Sequence, residues 1–214
     1  MITIWQEEQM EPNKRKLLEA ALLEFAEKGY EAGSTNQIVQ SAGVSKGMLF
    51  HYFSNKKTLF LAVVDACIDS FFTYLHSHLR ELSQDLLERL VQIQKVKLDL
   101  FVEQPYMYQM AISAFIDFPS ACRDEVKERE AEFNRRYFSM FLDGIDLSMM
   151  REQVDVKQSL SFILAAIEAV TQKYVRDNDQ SQDKGLEQLT LFHEDITRYC
   201  ELIRYGLYKQ HSCP

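Results

Sequence analysis

Glycine and proline are scarce in this 214-residue chain, seven and four respectively, so few positions break a helix and few supply the tight turns of a β-hairpin. With hydrophobic residues at 46%, that scarcity excludes a disordered polymer and favours an all-α protein large enough for a core of its own. Cys67, Cys122, Cys200 and Cys213 lie far apart with no C-x-x-C, which argues against a disulfide framework or a cysteine metal site. Reduced thiols in a cytoplasmic protein are expected. The start, MITIWQEEQMEPNK, has acids where a secretory signal needs a basic region, and no run approaches the apolar length of a membrane span. Catalytic signatures are missing too: there is no G-x-S-x-G, no H-E-x-x-H and no phosphate-cradling glycine loop, while His76 and His78, two apart, point to different helix faces. Neither an enzyme nor a cofactor, metal or membrane partner is expected.

One further absence is local. The formal net charge is −8, yet no Asp or Glu occurs from Ala32 to Val64. Residues 1–60 hold seven basic and seven acidic residues, so the whole acidic excess falls in the later part. Only the first part is suited to meet a polyanion.

What is present reads as helices. PNKRKLLEAALLEFAEKG places Leu18, Ala21, Leu22 and Phe25 on one face, with Gly29 suited to a left-handed helix end. Ser34 or Thr35 caps a second helix, where Gln37 can complete a capping box; the helix carries Ile38, Val39 and Ala42 and stops at Gly43. After the turn, Ser45 caps a short helix from about Lys46 to Phe53, and Ser54 or Asn55 caps a long one whose apolar set runs from Phe60 to Leu82. Helix, turn, short helix and long helix make a helix-turn-helix, whose second helix enters the DNA major groove while cations and helix ends hold phosphates. Gly47 costs about 1 kcal/mol relative to Ala inside a helix, which makes sense where a backbone must approach DNA or another helix.

The stretch TNQIVQSAGVSKGMLFHYFSNKKTLF resembles the DNA-binding signature of TetR-family transcriptional regulators through Thr35, Ile38, Ala42, Gly43, Val44, Ser45, Gly47, Leu49, Tyr52, Phe53, Lys56 and Leu59. The resemblance covers about residues 12–60. It implies a DNA-binding domain over 1–58, with 1–11 an N-terminal extension, and an effector-binding and dimerisation domain over 59–214. Thr35 and Tyr52 would contact phosphate; Lys46, Gly47, Met48 and His51 would lie at or near base edges, behind the Ser45 cap; Lys56 would clamp the DNA backbone. Two positions depart from the pattern: Phe50 replaces the usual Tyr and is open to a core role, and Lys57 replaces a common acid and would add a phosphate contact.

Beyond residue 60 the segment Phe101–Phe141 is rich in aromatics. Phe101, Tyr106, Tyr108, Phe115, Tyr137, Phe138 and Phe141 are candidates to line a pocket for a largely apolar effector, or to fill the core. Glu168, inside SLSFILAAIEAV, would need a cationic ligand if buried and is an ordinary surface acid if exposed. Two helices carry narrow stripes, Leu160, Ile163, Ile167, Val170 and Tyr174 in one and Phe192, Ile196, Tyr199 and Ile203 in the other. Such stripes suit a four-helix bundle formed by two chains, or the core of one chain. The resemblance therefore implies a homodimeric regulator, by family expectation a repressor, that binds double-stranded DNA at a palindromic operator and is released by a small molecule. A helix-turn-helix reused for protein interaction is the alternative, and salt separates the two because DNA binding weakens steeply with ionic strength.

Overall fold

A computed structural model describes residues 10–79, 82–117, 119–150, 153–176 and 182–205. Among them are nine α-helices, two 3₁₀ turns and no strand. The helices are α1 (Pro12–Ala32), α2 (Thr35–Ala42), α3 (Lys46–Tyr52), α4 (Lys56–His78), α5 (Leu86–Glu103), α6 (Pro105–Phe115), α7 (Arg123–Leu142), α8 (Val156–Arg176) and α9 (Gln182–Tyr205).

The start of the chain folds as local chemistry dictates. In α1, Leu17, Leu18, Ala21, Leu22 and Phe25 are all but inaccessible, one apolar stripe at helical spacing. Gly29 takes φ 70°, kinking the helix about one turn after Phe25. The Ser34 hydroxyl accepts the Gln37 N–H at 3.4 Å, but the return half of the capping box is not made: the Gln37 side chain donates to Ser41 Oγ at 3.3 Å instead. Gly43, at φ 65°, gives α2 its left-handed stop, a conformation that costs a residue with a Cβ. Ser45 Oγ accepts the Met48 N–H at 3.2 Å and Asn55 Oδ1 the Thr58 N–H at 2.9 Å, so Asn55 rather than Ser54 caps α4.

The packing forms two units, Met1–Ser77 with Leu100–Met140, and His78–Asp99 with Phe141–Pro214. Neither coincides with the segments 1–58 and 59–214, because α6 packs against α1 and belongs with the helix-turn-helix. In the first unit Phe25, Tyr30 and Phe60 form an edge-on aromatic knot, with Phe25 and Phe60 centroids 5.1 Å apart. Gly33 has no room for a side chain, since a Cβ there would lie 2.7 Å from the Phe25 ring. Buried Glu24 accepts the Ser34 N–H at 2.9 Å and is neutralised by Lys28 at 2.9 Å, fixing where α2 begins.

In the second unit the buried Arg89 donates to the carbonyls of Phe141 and Asp143, and Arg204 of α9 pairs with Asp85 at 2.8 Å. Burial works against ionisation of Asp85, but the Glu88 N–H and the Arg204 guanidinium hold its carboxyl below the usual range. Helix α4 ends at His78, so Leu82 is not part of it. Contrary to the expectation of no membrane-length segment, α4 is long and apolar enough to span a bilayer by length and composition. Its apolar side chains, Leu59, Phe60, Val63, Val64, Ile68, Phe71 and Leu75, are buried within the protein. Cys122 and Cys200 are buried and Cys67 half-buried, all free thiols; Cys213 lies outside the described residues.

Candidate nucleic-acid interface

Helix α3 sorts its side chains sharply. Leu49 is fully buried and Phe53, the residue that ends the helix, is 3% exposed, so these two anchor it. Lys46, Gly47, Phe50 and His51 are exposed and Met48 half-buried. Phe50, open to a core role on sequence grounds, is 45% exposed, and its ring adds an apolar group to the outward face. An added Cβ on Gly47 would meet only Ser45 Oγ, at 3.8 Å, so no other helix accounts for this glycine. Thr35 is half-buried at the first turn of α2, beside the Ser34 cap.

Three of the four residues proposed to hold phosphates, Tyr52, Lys56 and Lys57, already have partners. Tyr52 Oη donates to Glu11 at 2.5 Å, a bond that raises the phenol pKa. Lys56 donates to the Glu31 carbonyl at 3.0 Å and lies 4.8 Å from the Tyr30 ring centre. Lys57 pairs with Glu125 of α7; the same bond raises the lysine pKa and holds the Glu125 carboxyl below the usual range. The window without acids in sequence is thus met in space by acids from elsewhere. Sequence reading missed Glu11 and Glu125 because their partners lie 41 and 68 positions away, beyond any local pattern.

Of the proposed pocket residues, Phe115 and Tyr137 lie against Phe133, which also packs at a tilt on Phe71 and Phe72 of α4 at 5.2 and 5.4 Å, while Phe138 meets Tyr137 edge-on. Burial pushes the Tyr137 phenol pKa well up. Phe101 and Tyr108 form a separate pair at 5.4 Å, and Tyr106 is half-buried. Phe141 is buried, at 1% exposure, and its carbonyl accepts from the Arg89 anchor. The Glu168 and Tyr174 side chains lie outside the described residues.

The striped helices divide between inner and outer faces. Ile163, Phe192 and Ile196 are buried within this chain, whereas Leu160, Ile167 and Val170 are half-buried and Tyr199 and Ile203 each 39% exposed. An apolar groove of about 490 Å³ runs between α8 and α9, and Phe162 at its edge is 68% exposed. Phe162 and Leu202 are one position off the stripes, a shift the heptad count alone did not show. Among the described residues no cluster of three His, Cys, Asp or Glu side chains could hold a metal ion.

The profile of bacterial regulatory proteins of the tetR family matches residues 17–63, from the core of α1 into α4. The fatty acid metabolism regulator protein of Bacillus subtilis is 22% identical over 184 residues, 82% of this chain and 89% of that protein. The transcriptional repressor AcnR of Corynebacterium diphtheriae is 42% identical over 50 residues, 23% of this chain and 26% of the repressor. Among solved structures, Bacillus subtilis FadR in complex with stearoyl-CoA superposes with a TM-score of 0.65 at 19% identity, covering 91% of this chain and 99% of FadR. Relatives so aligned are regulators rather than enzymes. The family match over the capped helix-turn-helix shows that residues 17–63 resemble the DNA-binding part of the tetR-family regulatory proteins, and most of the chain shares the all-helical fold of FadR.

Proposed function

We propose that the chain is a cytoplasmic, homodimeric repressor that binds a palindromic operator in double-stranded DNA and is released from it by a small, largely apolar effector. The observation that carries the DNA contact is the outward face of α3: Lys46, Gly47, Phe50 and His51 exposed, with Leu49 and Phe53 locked beneath. Lys46 and His51 supply donors for base edges, and Met48 and Phe50 supply apolar surface for thymine methyls. Exposed Gly47 lets the backbone approach the duplex. Thr35, Tyr52, Lys56 and Lys57 are the phosphate contacts, the last three once they give up their present partners.

Dimerisation is assigned to the open face of α8 and α9, where Phe162, Tyr199, Leu202 and Ile203 leave apolar surface that a second copy would cover. The segment 59–214 is assigned the effector, with Phe115, Tyr137 and Phe138 as lining. Their half-buried rings are apolar, and the FadR relative is solved in complex with stearoyl-CoA. Release requires that the effector bind the DNA-incompetent arrangement more tightly than the competent one.

Fluorescence anisotropy against labelled duplexes tiling the DNA upstream of the chain's own gene, at two salt concentrations, tests this. Salt-sensitive binding to one tile, lost in Lys46→Ala/Lys56→Ala and reversed by stearoyl-CoA as the probe effector, is the expected result. A folded dimer that binds no tile at low salt would sink the operator reading and favour protein interaction instead.

A further inference from the structure

We infer that Glu125 of α7 is a positioning residue for DNA binding, its carboxylate standing in for an operator phosphate on Lys57 and withholding that lysine from DNA while α7 lies against α4. The inference rests on the DNA-binding reading above. Four observations carry it. Lys57 and Glu125 are each 37% exposed, so the pair sits at the surface, where a phosphate can compete for the ammonium. Glu125 is delivered by a helix clamped to α4 along its length: Arg129 makes two bonds to Asp65, at 2.6 and 2.9 Å, and Arg136 one to Asp69 at 3.0 Å. Phe133 packs between these clamps on Phe71 and Phe72. Arg129 also donates to the Glu125 carbonyl at 3.1 Å, tying the clamp to the residue it presents.

The charges are crossed along this seam. Helix α4 offers one cation, Lys57, followed by Asp65 and Asp69; α7 answers with Glu125, followed by Arg129 and Arg136. Each reversal rewards one register of the two helices, and an open cleft of about 400 Å³ lies between them beside Lys57, Thr58 and Glu125. Because α7 also carries Tyr137 and Phe138, whatever shifts those rings shifts the hold on Lys57. The acid that opposes the cationic window is thereby placed on the helix that carries two of the proposed effector contacts.

The test compares the full-length protein with Glu125→Gln, using a mixed-sequence labelled duplex and then any operator tile that binds. Freeing Lys57 adds one phosphate contact, so the slope of log affinity against log salt steepens by about 0.9, and the gain over wild type grows about threefold for each fourfold dilution of salt. Glu128→Gln removes the same charge from the exposed face of α7 and should leave the slope unchanged. Adding Lys57→Ala to Glu125→Gln should erase the gain. A gain that survives Lys57→Ala, or that Glu128→Gln reproduces, would show bulk charge and overturn the inference. So would identical affinities and slopes for wild type and Glu125→Gln. Absence of salt-sensitive binding in every protein would instead overturn the DNA-binding reading, and the inference with it.

Discussion

The helix-turn-helix unit and the α8–α9 unit bury apolar side chains to different ends. In the first, Leu17, Leu22, Phe25, Ile38, Leu49 and Phe60 have no measurable exposure, and what faces outward on α3 is largely polar, cationic or backbone. In the second, Ile196 is as well buried, yet Phe162 and Tyr205 are 68% and 66% exposed. A closed core beneath a polar face suits a partner met through charge and exchangeable hydrogen bonds. An open apolar face costs free energy in water until it is covered, which suits a partner that stays.

Four experiments can break or sharpen that contrast. The largest effect is expected at the closed core: Phe60→Ala should cost about 3–5 kcal/mol, read from urea unfolding, because it empties the aromatic knot with Phe25 and Tyr30. Next comes the open face. Phe162→Arg should weaken self-association by on the order of 2 kcal/mol or more in sedimentation velocity, without loosening the helix-turn-helix. If Phe162→Arg dimerises as wild type does, the open face is not the interface.

At the interface with DNA the two currencies separate. Gly47→Ala should stabilise the fold by about 0.5–1 kcal/mol, since the site is helical and uncrowded, while DNA affinity falls. Parallel losses in both, or none in affinity, would remove the close-approach role. The smallest effect concerns pH. Asp85 is held below its ordinary value of 3.8 by the Glu88 N–H and Arg204, so its contribution is present above that value and lost as pH falls through the lowered one. Melting curves of wild type and Arg204→Gln should therefore differ at neutral pH and converge in acid.

Much of the fold was legible because its signals are local. Ser34, Gly43, Ser45 and Asn55 act within four residues of themselves, and the spacing of Leu18, Ala21, Leu22 and Phe25 declares a buried face with no knowledge of what covers it. The candidate site was legible to the same depth. Its residues lie on consecutive turns, and the match over residues 17–63 concerns the same stretch. Legibility failed where meaning depends on what lies across a gap. The unmade half of the capping box went to Ser41, a competitor one turn along. Phe141, open to lining or core on sequence grounds, is buried beside Arg89. The stripes on α8 and α9 announced packing, but Ile163, Phe192 and Ile196 spend it inside the chain.

By itself the sequence determined the helical class, the capped turn from α2 to α3 and the local absence of acid, since caps, left-handed glycines and charge counts act over a few bonds. Tertiary structure alone decided that Gly33 must yield to the Phe25 ring, that Phe50 faces outward, and that Glu11 and Glu125 occupy Tyr52 and Lys57. The reason is physical: exclusion and charge pairing depend on distance through space, and distance along the chain does not report it.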